Sequence, residues 1–261
     1  MYQGFYNLVS GMLTQSRNLN VISNNMVNVQ TPGYKSDTMV ASTFQEEMLY
    51  RTGRRDKNER EDLATVSKIS TASRTYVNYE TGAFNPTGGV YDFAINGDGF
   101  FCIQTEDGVR YTRNGSFAVD GDGYLVLNDL GRVLSTDGQP IQIDNEEFTV
   151  DGNGHIVAQV AAGAGGNMEV RDFGTLRIVD FDDYDQLQRQ DNGLFSTNQA
   201  ARPVNGEGAT VVWQTLERSN VDMVEEMTAM MTSQRALQSA AQMLRMYDSV
   251  MSKSVTDVGR L

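Results

Sequence analysis

The stretch that decides the fold is NLNVISNNMVNVQTPGYK, residues 18–35. Its apolar residues recur at the three- and four-residue spacing of an α-helix. The sequence TPGY (residues 31–34) ends that pattern, because a residue before proline avoids the helical region and Gly33 favours a turn. The helix is rich in asparagine, although the short asparagine amide competes for nearby backbone groups and weakens helices. These amides must therefore serve another purpose.

Three of the asparagines, Asn20, Asn24 and Asn28, are spaced i, i+4, i+8 and form one stripe beside the apolar seam. An amide donates and accepts hydrogen bonds at once, so in a helix surrounded by other helices it fixes register at a cost in isolated stability. The alternative is an ordinary solvated face, which lysine or glutamate would serve better. We predict an assembly surface, to which we assign Leu19, Asn20, Ile22, Asn24, Asn25, Met26, Asn28, Thr31, Pro32, Gly33 and Tyr34.

The end of the chain mirrors its beginning. Apolar residues follow a heptad spacing from Met223 to Val258, and Asn220 is the expected N-cap. At 1.5 Å per residue, a helix over 221–258 is roughly 57 Å long, more than a monomeric globule needs. We expect the two helices to pair as a coiled coil and to become ordered on assembly. The expected contact residues in this helix are Met223, Met227, Met230, Leu237 and Leu244.

The residues between the helices read as β structure. Short apolar or alternating runs are separated by Asn-Gly and Asp-Gly turns, as in NGDG (96–99), RNG (113–115), DGDG (120–123) and DGNG (151–154), which favours antiparallel hairpins. The expected fold is mainly β with helical termini. We divide the chain into an N-terminal helix (1–34), an extended or mobile assembly segment (35–81), a β-rich outer domain (82–215) and a C-terminal helix (216–261).

Charge and composition exclude several classes of protein. The net charge is −13, and residues 81–215 hold seven basic and twenty acidic residues, so the middle of the chain carries the whole imbalance and repels nucleic acid. No apolar run approaches the roughly 20 residues that span a bilayer, and no Sec signal peptide is visible. Cys102 and His155 are the only residues of their kinds, which excludes most zinc sites and catalytic triads; Cys102 is expected to be a buried, inert thiol.

Two alternatives from other classes remain. Asp120 and Asp151 begin stretches that resemble calcium-binding loops, but the bidentate glutamate at the twelfth position is missing. The acidic pairs Asp182/Asp183 and Glu146/Glu147 are adjacent in sequence, so each pair would point to opposite faces of a strand rather than converge on one glycosidic bond. A calcium-dependent binding module or a secreted β-sandwich hydrolase is therefore a weaker interpretation, and we expect no catalytic site, metal or cofactor.

Three motifs resemble a known family. LNVISNNMVNVQTPGYK (19–35) resembles the N-terminal signature of the bacterial flagellar axial proteins, the rod and hook family. AINGDGFFCIQ (94–104) and the residues after it are similar to the family's central β motif, and LERSNVDMVEEMTAMMTSQRALQSAAQMLRMYD (216–248) to its C-terminal helix. The length favours a rod protein over the longer hook protein, with a hook subunit as the alternative.

The resemblance implies a non-enzymatic subunit of the basal-body rod, the drive shaft between motor and hook. It implies export by the flagellar type III apparatus without a Sec signal and helical polymerisation in the cell envelope. The expected partners are copies of the chain, neighbouring rod and hook subunits and the export apparatus, with no nucleic acid and no membrane insertion.

Overall fold

A computed structural model of the chain describes residues 2–52, 60–127, 130–144, 147–162, 167–190, 192–206 and 208–258. The chain forms two compact units. Unit 1 comprises residues 1–27, 36–78 and 221–261, and unit 2 comprises residues 28–35 and 79–220. The end of the asparagine-rich stretch, TPGYK, therefore folds with the β structure. The part of the charge run RTGRRDKNERED (51–62) between residues 53 and 59 lies outside the described residues.

Unit 1 contains both long helices. Helix α1 spans Tyr2–Val27 and helix α2 spans Met223–Val258, which is 36 residues and about 54 Å at 1.5 Å per residue. The expected cap of α2 was wrong, because the carboxylate of Asp222 accepts hydrogen bonds from the backbone N–H groups of Val224 and Glu225. The Asn220 amide instead donates to the Glu80 carbonyl.

The described strands pair antiparallel throughout. They are β1 (Asp37–Thr52), β2 (Arg60–Val77), β3 (Phe84–Pro86), β4 (Phe93–Gly97), β5 (Phe100–Thr105), β6 (Gly108–Thr112), β7 (Ala118–Val119), β8 (Leu125–Leu127), β9 (Gly131–Val133), β10 (Phe148–Val150), β11 (His155–Ala162), β12 (Asn167–Thr175), β13 (Ile178–Asp180), β14 (Gln188–Arg189), β15 (Phe195–Ser196), β16 (Arg202–Pro203), β17 (Ala209–Trp213) and β18 (Thr215–Glu217). In unit 1, β1 and β2 form a long two-stranded ladder.

The described part of unit 2 contains four sheets. The largest follows the order β14-β15-β6-β5-β9-β8-β7, with β13 and β16 attached beside β5. A second sheet has the order β10-β11-β12, and two-stranded sheets join β17 to β4 and β18 to β3. The hairpins predicted at DGDG and DGNG are confirmed, since β7 pairs with β8 and β10 with β11.

Two of the predicted hairpins were wrong. Strands β4 and β5 flank NGDG, but β4 pairs with β17, whereas β5 pairs with β6, β9 and β13. Gly97 and Gly99 adopt left-handed backbone angles, and a Cβ at Gly97 would lie 2.4 Å from the Gly208 carbonyl oxygen, so this turn carries the chain between sheets. Strand β6 likewise pairs with β5 and β15 and not with β7 across RNG.

The core of unit 2 lies between these sheets. Phe93, Phe101, Ile103 and Leu125 are buried in one apolar cluster that also draws on β10, β11, β13 and β17. Cys102 is buried as expected, and burial raises the pKa of its thiol to about 12. The predicted fold class, a β-rich centre with a helix at each end, is confirmed. Among the described residues, no helix has the length and apolarity to cross a membrane.

Candidate assembly surfaces

Helices α1 and α2 pack against each other through polar contacts. The Asn18 amide donates to the Ser233 hydroxyl at 3.2 Å, and the Asn25 amide donates to the Glu226 carboxylate at 2.6 Å. A step of seven residues up α1 thus matches a step of seven down α2, so the helices run antiparallel.

Asn25 is the central polar residue of this contact. It is 1% exposed, and besides the Glu226 contact its amide donates to the Asp37 carbonyl at 2.8 Å while its oxygen accepts from the Asp37 N–H at 2.9 Å. Both groups of the amide are therefore used, which offsets the cost of placing asparagine inside a helix. Burial raises the pKa of Glu226, against the hydrogen bond from Asn25, which lowers it.

Two of the three asparagines of the predicted amide stripe lie on α1, on a different face from Asn25. Asn20 and Asn24 are exposed, and Asn28 is half-buried just after the helix in unit 2. Asn20 lies in line with three exposed apolar residues, Tyr6, Leu13 and Val27, at intervals of seven residues. We call Tyr6, Leu13, Asn20, Asn24 and Val27 the outer stripe of α1. It lies away from the face that carries Ile22 and Asn25, which are buried.

The other predicted contact residues divide between the helix faces. Ile22 is buried, and Leu19 and Met26 are half-buried. In α2, Met227 is exposed, whereas the remaining four are half-buried: Met223, Met230, Leu237 and Leu244. Among the residues of α2 whose burial the structure describes, the buried one is Ser233, which an apolar heptad pattern does not single out. Further exposed apolar residues on α2 are Val224, Met231, Met243, Met246, Val250 and Val255.

The TPGYK loop lies against the β structure of unit 2. Gly33 and Tyr34 are buried, and Thr31 and Pro32 are half-buried. The Gly33 N–H donates to the Glu217 carbonyl at 2.8 Å, and a Cβ at Gly33 would lie 2.3 Å from the Arg113 carbonyl carbon. The Arg189 guanidinium stacks over the Tyr34 ring at 4.0 Å. The loop is therefore a packed part of unit 2.

Lys35 ends this loop in a buried group of charges. Its ammonium lies 2.7 Å from the Glu217 carboxylate, whose other oxygen is 3.4 Å from the Arg113 guanidinium. Lys35 and Glu217 are each 1% exposed and Arg113 is 3% exposed. Burial lowers the pKa of Lys35, and the Glu217 charge opposes that shift. We call Lys35, Arg113 and Glu217 the ion cluster; sequence reasoning missed it because isolated charges in separate segments carry no periodic signal.

The features that suggested other functions are parts of turns. One Asp120 oxygen accepts from the N–H groups of Asp122 and Tyr124, and Asp151 accepts from the N–H groups of Asn153 and His155 in the same way. Among the described residues, no group of three or more acidic, histidine or cysteine side chains is arranged to hold a metal ion.

The structure describes both members of one acidic pair, Asp182 and Asp183. Asp183 caps a short 3₁₀ turn, where its carboxylate accepts from the Asp185 N–H at 2.9 Å. Asp182 lies 3.8 Å from the Arg202 guanidinium. In the other pair, Glu146 lies outside the described residues.

Comparison with known proteins identifies three matching segments. Residues 5–35 match the family model described as "Flagella basal body rod protein", residues 94–158 the "Flagellar hook protein FlgE/F/G D1 domain", and residues 214–257 the "Flagellar basal body rod FlgEFG protein C-terminal". The first of these segments ends at Lys35, the second contains Arg113 and the third contains Glu217. The ion cluster thus takes one residue from each segment.

Relatives that match along the full length of the chain point to the same family as these three segments. The chain is 32% identical to the flagellar basal-body rod protein FlgG of Bacillus subtilis over 98% of both chains. It is 31% identical to the flagellar basal-body rod protein FlgF of Caulobacter vibrioides over the full length of both, and 28% identical to the flagellar hook-basal body complex protein FlhO of Bacillus subtilis, also over the full length. With such relatives along its whole length, the chain belongs to the flagellar basal-body rod protein family.

Proposed function

We propose that this chain is a structural, non-enzymatic subunit of the flagellar basal-body rod. The observation that carries the proposal is the outer stripe of α1, an exposed row of apolar and amide residues, in a chain of this family. Burying a large apolar side chain contributes roughly 1.5–3 kcal/mol, so a single chain leaves stabilisation unused on this face. Neighbouring copies and other rod or hook subunits would cover it.

The finer features of the proposal concern assembly. The helices would pack as coiled coils within and between subunits, and the subunits would polymerise helically in the cell envelope after export by the flagellar type III apparatus without a Sec signal. Asn20 and Asn24 would then hydrogen-bond across subunits and fix the register of packing. The domain boundaries 1–34, 35–81, 82–215 and 216–261 stay a prediction in this scheme.

The test uses a matched pair of substitutions. Leu13 on the outer stripe is 62% exposed, and Val170 on β12 is 64% exposed. We expect Leu13→Lys to abolish polymerisation of the purified chain and motility of a strain that carries it as its only copy. Val170→Lys should leave both unchanged, since it adds the same charge at the same exposure outside the helices. Wild-type polymers from the Leu13→Lys chain would refute the proposal.

A second test addresses the amides. Asn24→Leu should leave the folded units intact but impair polymerisation, because leucine packs without fixing register.

Amide hydrogen exchange on the monomer measures whether the helices are ordered before assembly. Fast exchange in the helices would support ordering on assembly, whereas strong protection would mean that the pair α1–α2 is stable alone.

A hook subunit is the alternative within the family, since one of the matched family models is described as a hook protein domain. Immunogold labelling of isolated basal bodies distinguishes the two: label confined to the rod supports our proposal, and label along the hook supports the alternative.

A further inference from the structure

The ion cluster lies within unit 2, and two of its residues, Lys35 and Glu217, are close in sequence to points where the chain leaves that unit. The chain leaves or enters unit 2 at four places, between residues 27 and 28, 35 and 36, 78 and 79, and 220 and 221. Lys35 is the last residue before the second crossing, and its ammonium also donates to the Glu80 carbonyl at 2.7 Å, two residues after the third. Glu217 stands four residues before the fourth crossing.

Further hydrogen bonds join these segments inside unit 2. The Glu217 carboxylate accepts from the Gly82 N–H at 3.0 Å as well as from Lys35. The Asn220 N–H donates to the Tyr34 carbonyl at 3.4 Å, and the Arg218 N–H donates to the Ala83 carbonyl at 2.9 Å. The segments next to three of the four crossings are thereby hydrogen-bonded to one another, and the Glu217 carboxylate lies at the centre of these bonds.

Stability alone does not account for such a cluster. Removing ions from water costs several kcal/mol each, and well-packed apolar residues often replace a buried ion pair without loss. Apolar contacts are not directional. Hydrogen bonds between an ammonium, a carboxylate and fixed backbone groups are directional, so they favour one arrangement of the chain segments that carry them. Buried ionic groups are best attested as devices that fix register.

We propose that Lys35 and Glu217, oriented by Arg113, are positioning residues that fix the points at which the chain leaves unit 2. The inference rests on the proposed function, because fixed departure points matter for a subunit whose helices pack with those of its neighbours. Loss of the cluster should loosen the crossings while the core of unit 2 stays folded, and assembly should suffer as a result.

The test removes the hydrogen bonds of Lys35 and leaves the net charge of the ion cluster unchanged. Lys35→Met with Glu217→Gln takes away one positive and one negative charge, and Arg113 keeps its contacts with the Ile95 and Gly97 carbonyls. We expect the amides of Gly33, Gly82 and Asn220 to exchange about tenfold faster or more, as in local opening. The core amide of Leu125, which donates to the Ile141 carbonyl, should keep its rate.

A control and two contrary results complete the experiment. Arg202→Met breaks the Arg202–Asp180 pair in the same unit away from the crossings, and should leave the three crossing amides unchanged. Equal acceleration of crossing and core amides would mean that the cluster only stabilises the fold, and unchanged crossing amides would mean that it fixes nothing; either result overturns the inference. Polymerisation is measured separately, and the double variant should need about tenfold more protein to polymerise. A wild-type chain that never polymerises would refute the proposed function while the exchange test still stands.

Discussion

Gly33 is held in a conformation and a space that other residues do not tolerate. Its φ is +66°, and an added Cβ would meet the Arg113 backbone. Gly88, in the same unit, has a φ of +71°, but apart from its chain neighbours no residue has an atom within 4 Å of an added Cβ. Gly33→Ala should therefore lose about 2–4 kcal/mol of unfolding free energy, and Gly88→Ala about 1 kcal/mol, because only the first adds a clash to the left-handed backbone.

Denaturant unfolding followed by the fluorescence of Trp213, the only tryptophan, measures both variants in unit 2. Equal losses in the two variants would show that the TPGYK loop is not packed against Arg113. The sequence predicted the turn at Gly33 from its neighbour proline, whereas the contact with Arg113 depends on tertiary packing 80 residues away and leaves no local signal.

Glu226 gives the helix pair an unusual dependence on pH. Burial raises its pKa above the ordinary value of 4.5, so folding disfavours the charged form. The stability linked to this carboxyl is complete below pH 4.5 and is lost as the pH rises through the folded-state pKa. We expect the α1–α2 contact to tighten when the pH falls from 7 to about 5.

Glu226→Gln should remove that dependence and keep the contact, since the glutamine oxygen still accepts from Asn25. Hydrogen exchange of α1 amides at pH 5 and pH 7, corrected for intrinsic rates, measures it. Asp248→Asn, an exposed acid on the same helix, serves as the control. A Glu226→Gln chain as sensitive to pH as the wild type would contradict the assignment.

At the scale of the element, the start of α2 depends on Asp222. Its carboxylate serves two N–H groups of the first turn, and removing a capping residue costs about 0.5–2 kcal/mol. Asp222→Ala should increase fraying over the first turn of α2, seen as faster amide exchange at Val224 and Glu225. Asn220→Ala should leave those two amides unchanged, and the reverse result would restore Asn220 as the cap.

The helices could be predicted because the signals that indicate them, apolar periodicity and turn-forming residues, lie in neighbouring residues of the sequence. The asparagines show the limit of that reasoning. A spacing of i, i+4 groups Asn20 with Asn24, but it does not reveal that Asn25 is the buried amide, because its partners are Asp37 and Glu226 in other elements. The prediction of a hairpin at NGDG was wrong for the same reason. The glycines permit a tight turn, but the partners of the flanking strands depend on the packing of the sheets as a whole.

For the whole molecule, the two units should respond to acid in opposite ways. In unit 2 three aspartates have a pKa below the ordinary value of 3.8: the Tyr124 N–H lowers that of Asp120, and the His155 hydrogen bond lowers that of Asp172. At Asp180 burial alone would raise the pKa, but hydrogen bonds from Tyr184, the Phe181 N–H and Arg202 outweigh it. The folding stability linked to these three carboxyl groups is complete above pH 3.8. It is lost as the pH falls through their pKa values in the folded state.

Two probes separate these responses, because both long helices lie in unit 1 and Trp213 lies in unit 2. In denaturant titrations, the midpoint of the helical circular dichroism signal at 222 nm should stay the same or rise as the pH is lowered from 7 to 4.5, because Glu226 becomes protonated. Below pH 3.8 the Trp213 transition should move to lower denaturant, and Asp172→Asn should remove part of that shift. If both probes moved together at every pH, the units would unfold as one, and the carboxylates of unit 2 would govern the helices as well.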